Sequence, residues 1–329
     1  MTGQTATDLR IALVGLGGMG TVHHTTYQHI AGTKVVAAVG ASEADRVKAD
    51  AWGVPLFPNI SALLESTEVD VVDICTPTFL HAEQALSAIT GGKHVICEKP
   101  AALSGADARA MVAAANQAGV QLYVAHVLQF FPESLVLHDL VASQKYGRVL
   151  DAKFQRLSAR PEWAQGGWLF DKARSGLVPY DLHIHDLDLI VSLFGVPENA
   201  TLVKASRPGL SFDELCRFTY DYPELQVVGE AGWLNAAIPF TAGWRVLFEN
   251  ALVQTENGAV VAYPWGQEPE RIELMDEPKI PTGINVPPTG TYLKELTHFT
   301  TCARAGTSSP IVPLERVVAV LELLEHLSA

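Results

Sequence analysis

Two rhythms of apolar and polar positions alternate through the first part of the chain. Short, nearly continuous apolar runs at Leu9 to Val14, Lys34 to Val39, Val69 to Cys75, Lys93 to Cys97 and Val120 to Ala125 predict β-strands. Between them, Met19 to Ile30, Glu43 to Trp52, Phe79 to Ile89 and Ser104 to Ala118 read as helices. Ser104 is placed as an N-cap for the last of these, an alanine-rich segment that Gly119 ends. Strands apolar on both faces and alternating with helices imply a parallel sheet covered on both sides, with right-handed crossovers. The expectation is an α/β, doubly wound domain over residues 1–125.

From residue 126 the pattern changes. A long connection carries Trp163, Gly166, Gly167 and Trp168, and a helical segment follows from Gly176 to Phe194. Strand candidates come next: Thr201 to Lys204, Leu215 to Tyr220, Gln226 to Trp233, Trp244 to Phe248, Ala251 to Gln254 and Ala259 to Tyr263. Short turns at Glu249-Asn250 and Asn257-Gly258 favour antiparallel pairing. Gly266 to Pro288 reads as a loop, and helices at Tyr292 to Arg304 and Leu314 to Leu327 close the chain. Residues 126–329 are therefore expected to form an α+β domain with an open, mostly antiparallel sheet. The face of such a sheet that has no helices needs a cover, and a homo-oligomer, dimer or tetramer, pairing sheet on sheet supplies one.

Composition narrows the partners. The 329 residues are 48% apolar and 18% charged, so two sizeable cores can be buried and wholesale disorder is excluded. A net charge of −13 with no basic run argues against a nucleic-acid partner. No apolar run approaches the roughly 20 residues that span a bilayer, and the N-terminus lacks the basic and apolar regions of a secretory signal. Cys75, Cys97, Cys216 and Cys302 are scattered without a Cys-x-x-Cys pair, which reads as reduced thiols in a cytoplasmic protein, not as a disulfide framework or a zinc cage.

Candidate chemistry concentrates at three places. Gly15-Leu16-Gly17-Gly18-Met19-Gly20 fits G-x-G-x-x-G, and in a chain with 26 glycines it gains meaning from following the first strand and opening a helix. In that context the loop is the phosphate-binding turn of a Rossmann dinucleotide site. The strand after it ends in Gly40 where an acid for the ribose of NAD is usual. Ser42 and Arg46 can instead meet a 2′-phosphate, which tilts the expectation to NADP, while Glu43 or Asp45 can still reach a ribose. Lys99, in Glu98-Lys99-Pro100, stands at the carboxyl edge of a strand where doubly wound sheets bind ligands, although a solvated loop lysine is the ordinary alternative. The third place is Asp181, His185 and Asp188 in an otherwise apolar segment. If the segment is helical, Asp181 and His185 share a face as i and i+4, and His183 points the other way. Taken alone the cluster fits a buried network, a metal site or a catalytic dyad; metal is weakest, for want of cysteine or an H-E-x-x-H companion.

Together these residues resemble the Gfo/Idh/MocA oxidoreductases: the glycine loop with His23, Thr76-Pro77 with His81, Glu98-Lys99-Pro100, and Asp181-x-x-x-His185-Asp186. The resemblance covers nearly the whole chain. It implies NAD(P)-dependent hydride transfer at a secondary alcohol or ketone of a sugar, an inositol-like cyclitol or a polyol. It implies that Lys99 bonds the reacting oxygen, His185 takes its proton and Asp181 organises both, with no metal. It also implies that Gly15, Gly17, Gly18, Met19, Gly20, His23, Thr76, Pro77, His81, Glu98 and Lys99 line or buttress the dinucleotide, though His81 can alternatively be a helix cap. Many relatives carry Arg where this chain has His126 to Pro132 with Gln129, which argues against an acidic substrate. His126, Gln129, Trp163 and Trp168 are candidates to touch substrate, an indole face being able to stack on a sugar. A transient-redox hydrolase or lyase of the same fold and a non-catalytic dinucleotide or sugar sensor are the competing readings. Which sugar, which carbon and which direction stay open.

Overall fold

The computed structural model describes residues 8–162, 165–284 and 286–328. They divide into two compact units. The first holds the described residues up to Ala102, Ala106–Ala125 and Glu277–Val317; the second holds Leu103–Gly105, His126–Asp276 and the chain from Val318 on.

In the first unit, β1 (Leu9–Val14), β2 (Thr33–Val39), β3 (Leu56–Phe57), β4 (Val71–Ile74), β5 (His94–Glu98) and β6 (Leu122–Ala125) form one sheet in the order β3-β2-β1-β4-β5-β6. Every neighbouring pair is parallel. Helices α1 (Gly18–Tyr27), α2 (Glu43–Trp52), α3 (Ile60–Ser66), α4 (His81–Thr90) and α5 (Gly105–Ala118) alternate with the strands. Burial on both faces explains the continuous apolar strands: Ile11, Ala12, Leu13, Val14, Val71, Val72 and Ile74 are all fully buried. The strand order reverses between β1 and β4, and an open α/β sheet binds its ligands outside the carboxyl ends of the strands at such a switch point. The glycine loop leaves β1 there, Thr76-Pro77 leaves β4, and Lys99 leaves β5.

The second unit contains α6 (Pro132–Ser143), β7 (Val149–Ala159), α7 (Lys172–Ser175), α8 (Ile184–Phe194), β8 (Asn199–Ala205), β9 (Leu215–Tyr222), β10 (Leu225–Leu234), β11 (Thr241–Phe248), β12 (Ala251–Glu256), β13 (Ala259–Pro264) and β14 (Glu270–Ile272). Its eight strands run β14-β13-β12-β11-β7-β10-β9-β8, antiparallel except for β7 with β10. Two expectations change here. The segment read as one helix from Gly176 breaks: α7 ends at Ser175, Gly176 and Leu177 take positive φ (71° and 62°), and a π-helical turn at Pro179–His183 leads into α8. The loop expected from Gly266 to Pro288 includes β14 and a bridge from Ile280 to Thr289.

The central strand β7 carries no clear strand pattern because its inward row, Ala152, Phe154 and Arg156, includes a cation. Arg156 is buried and forked onto buried Asp186 of α8, at 2.8 Å and 3.2 Å. His183 lies beside that pair, stacked on Phe218 with ring centroids 3.7 Å apart and 2.7 Å from the Tyr220 hydroxyl. Burial pushes His183 down to about 3, with the Arg156 charge adding to the shift, so the ring is neutral and shares one hydrogen bond with the tyrosine hydroxyl.

Two further helices, α9 (Thr291–Ala305) and α10 (Leu314–Ser328), complete the chain. The segment Glu277–Val317 groups with the parallel-sheet unit and not with the unit expected over 126–329. Its anchors are apolar and local: α9 packs on α1, Phe299 stacks on Tyr123 at 5.3 Å, and the Tyr123 hydroxyl donates to the Thr307 carbonyl at 2.8 Å. A helical pattern shows that a face must be buried without showing against what. No described helix is long and apolar enough to cross a membrane.

Asp186→Leu would leave the Arg156 guanidinium buried without its carboxylate. A loss of about 3 kcal/mol in urea-denaturation stability is expected, and an unchanged midpoint would show that the pair is not structural.

Candidate active site

The glycine loop divides its labour by space. Gly15 takes φ +86°, and a Cβ there would stand 2.8–2.9 Å from Thr76. A Cβ at Gly20 would stand 2.0 Å from the Gly15 carbonyl. Both positions are glycine because backbone passes through the room a side chain would need. At Gly17 a Cβ would meet nothing within 4 Å, so that side of the loop is open. Gly17 is also the N-cap of α1 and no side chain caps this helix, whereas Ser42 caps α2 and Asn59 caps α3. Open space before uncapped N–H groups at the positive end of a helix suits a pyrophosphate, so Gly15, Gly17, Gly18, Met19 and Gly20 fit a dinucleotide. Lys48 braces the loop from α2, donating to the Leu16 carbonyl at 2.6 Å and to Thr21 Oγ1 at 3.0 Å.

Beneath this loop lies a buried chain of ionisable groups. His23 on α1 is fully buried, with Nδ1 2.8 Å from Asp73 Oδ2 and Nε2 3.2 Å from Glu98 Oε1, the second contact an ion pair without a well-aligned hydrogen bond. Tyr27 donates to the same Asp73 oxygen at 2.7 Å, and the Cys75 thiol lies 3.3 Å from His23 Nδ1. These donor atoms converge closely enough to suggest a metal site, but their spacings are those of hydrogen bonds. Burial alone would discharge the imidazole; the charge and hydrogen bond of Asp73 outweigh it and hold His23 well above its usual range. Burial likewise opposes the Glu98 carboxylate, and the neighbouring His23 brings it below its usual range. Glu98 Oε2 then accepts from the backbone N–H of Lys99 at 3.1 Å, which ties the network to the Lys99 turn. The Lys99-Pro100 peptide bond is cis.

His81 holds the same turn from α4. Its Nδ1 lies 2.7 Å from the Pro100 carbonyl and its Nε2 2.7 Å from the Thr76 carbonyl, so one ring bridges the loops after β4 and β5. The ring does more than cap a helix. Thr76 also donates to Gln84 at 2.6 Å. Asp73, Tyr27 and Glu295 were not anticipated from the sequence. Glu295 on α9 is fully buried, lacks a hydrogen-bond partner among the described residues and is pushed well up by burial and by Glu98, which makes it a neutral acid. The available signal was Asp73 itself: a carboxylate inside a strand buried on both faces requires a partner.

In the second unit, every residue from Leu177 to Val191 is buried except Asp181 and His185. The chain turns the other acids and histidine of this segment inward: His183 to Tyr220, Asp186 to Arg156, and Asp188 to Gln129, whose Nε2 donates at 2.6 Å. Asp181 and His185 are four residues apart across the junction of the π-turn with α8, and they are the titratable side chains this segment leaves accessible.

Other expected site residues are placed differently. Gln129 and His126 are 3% and 1% exposed; Gln129 is committed to Asp188 and Ser192 in a buried network instead of facing substrate, and His126 Nδ1 lies 3.8 Å from the same Asp188. Ser42 is held in a reciprocal cap with Asp45, and Arg46, largely exposed, meets Glu43 through Nε at 3.2 Å. Trp168 is partly exposed in the turn Gln165–Phe170, and Trp163 lies outside the described residues.

The buried imidazole ties stability to pH. His23, raised when folded, stabilises fully below its ordinary value of 6.5 and loses this as pH rises through its folded value; Glu98, lowered when folded, stabilises above its ordinary 4.5 and loses this as pH falls. The stability gap between the native protein and His23→Gln is therefore expected to be widest between pH 4.5 and 6.5 and to shrink on the alkaline side. A gap that grows with pH in denaturation measured across this range would refute the charged ring.

Comparison with known proteins shows the family and the fold. Residues 9–126 match the model of an oxidoreductase family with an NAD-binding Rossmann fold, Gfo/Idh/MocA, and residues 135–254 match the C-terminal domain of that family. An uncharacterised oxidoreductase of Escherichia coli K12 is 29% identical over 283 residues, 83% of this chain and 76% of the relative. The scyllo-inositol 2-dehydrogenase (NADP⁺) of Bacillus subtilis 168 is 25% identical over 221 residues, 67% of this chain but 62% of the relative. A levoglucosan dehydrogenase, solved with NADH and levoglucosan, shares the fold with a TM-score of 0.83 at 19% identity, covering 98% of this chain and 96% of its own. The chain thus belongs to the Gfo/Idh/MocA family of NAD-binding oxidoreductases.

Proposed function

We propose that the protein is a dehydrogenase or reductase that moves a hydride between NAD(P) and a secondary alcohol or ketone of a sugar, cyclitol or polyol. The observation that carries this reading is the partial exposure of Asp181 and His185 in a segment whose other acids and histidine are buried. A purely structural network would leave neither accessible. The second support is Lys99, set at the carboxyl end of β5, beside the switch-point strand β4, on a turn fastened through Glu98 and His81. The names of the inositol and levoglucosan relatives point to the same substrate class.

The dinucleotide supplies a hydride acceptor or donor when bound, and the glycine loop with the N-terminus of α1 would hold its pyrophosphate. The protein's own residues then handle charge and protons. The Lys99 ammonium stabilises negative charge as it develops on the carbinol oxygen. His185 removes the hydroxyl proton in oxidation and returns it in reduction, so that no free alkoxide forms. Asp181, four residues earlier on the same face, orients the imidazole. Glu98 and His81 act through Lys99 and are positioning residues. The open face of the eight-stranded sheet, where Lys153 and Arg217 meet Glu230 on the side away from buried Arg156, is the surface through which copies would pair as a homo-oligomer.

Lys99→Ala is expected to reduce turnover by a factor of about 100 or more while reduced-dinucleotide binding, followed by fluorescence, persists. Unchanged turnover would remove Lys99 from the mechanism. Light scattering at micromolar concentration should give more than the 35.4 kDa of one chain; a monomer would refute the pairing surface.

A further inference from the structure

The end of β2 is where a doubly wound domain meets the adenosine ribose, and this chain has Gly40 there in place of an acid. Its carboxylate arrives from elsewhere. Asp45, in the first turn of α2, folds back over Gly40 so closely that a Cβ at position 40 would stand 2.7–2.9 Å from Asp45 Cβ, Cγ and Oδ2. One Asp45 oxygen, Oδ2, gathers three donors: Ala41 N at 3.2 Å, Ser42 N at 3.0 Å and Ser42 Oγ at 2.7 Å. Ser42 Oγ in turn accepts from Asp45 N at 3.1 Å. These are the donors that a 2′-phosphate would need, and an internal anion already holds them. Of the nearby cations, Lys48 is committed to the glycine loop, and Arg46 meets Glu43 through Nε alone in an exposed pair.

We infer that Asp45 is the cofactor-specificity residue, replacing the missing strand-end acid and selecting NAD over NADP. Gly40 is the space that lets the Asp45 carboxylate lie at the strand end. Oδ2 is saturated from within, and Oδ1 is left to accept from the ribose hydroxyls. A 2′-phosphate at the same place would meet Asp45 and Glu43 at close quarters and find the donors of Ala41 and Ser42 already taken. The inference reverses the tilt to NADP drawn from Ser42 and Arg46. It rests on the dinucleotide reading above.

The test is titration of the whole protein with NADH and NADPH, followed by nicotinamide fluorescence, for the native chain, Asp45→Ser and Asp45→Asn. Asp45→Asn keeps an oxygen for the cap and so guards against loss of α2. The native protein is expected to bind NADH at least about 10-fold more tightly than NADPH, and both variants to lower that ratio about 10-fold or more, chiefly through tighter NADPH binding. Native preference for NADPH, or none, would overturn the inference and leave the dinucleotide site standing. So would a ratio that neither variant changes. Binding of neither dinucleotide would overturn the cofactor reading itself, and this inference with it.

Discussion

The active-site half of the parallel-sheet unit depends on one buried cation. His23 sits between Asp73 and Glu98 at 2.8 Å and 3.2 Å, out of reach of water. Two carboxylates and an imidazole cannot be buried separately without a cost of several kcal/mol for each charge. Placed together they compensate one another, and the arrangement fixes three elements at once: α1 through His23, β4 through Asp73 and the end of β5 through Glu98. The Lys99 turn is fastened to the last of these by its own backbone N–H. The glycine loop and the lysine therefore share one support, although 79 residues separate Gly20 from Lys99.

The second unit solves a related problem differently. Its segment from Leu177 to Val191 is mostly apolar and buried, yet contains three acids and two histidines. Asp186, Asp188 and His183 each find an internal partner, in Arg156, Gln129 and Tyr220. The π-helical turn at Pro179–His183 precedes the regular helix at a place where the exposed face begins, and such turns recur at functional sites. What is left accessible is one carboxylate and one imidazole. Chemistry is separated from packing here by accessibility, residue by residue.

Much of this could be read from the chain. Five of the six parallel strands were visible because burial on both faces leaves a continuous apolar run; β3, with two residues, was too short to leave one. The Asp181–His185 pair was legible from spacing, since four residues return a side chain to the same helical face. The central strand β7 was not, because Arg156 occupies its inward row and only the distant Asp186 makes that possible. The support of the Lys99 turn was hidden for the same reason: Asp73, His23 and Glu98 lie far apart in sequence, and nothing local in Val71-Val72-Asp73-Ile74 names the partner. Gly40 shows the limit from the other side. Nothing local to Gly40 shows that the fold brings the Asp45 carboxylate over it.

The central claim, hydride transfer between a nicotinamide and a carbinol carbon, is tested most directly by absorbance at the reduced-nicotinamide band. The protein would be mixed with oxidised dinucleotide and a panel of inositols, aldoses and polyols. The account predicts net accumulation of reduced dinucleotide with at least one of them. Tight dinucleotide binding with no net reduction on any member of the panel would contradict it and favour a redox step that closes on itself, or a sensor.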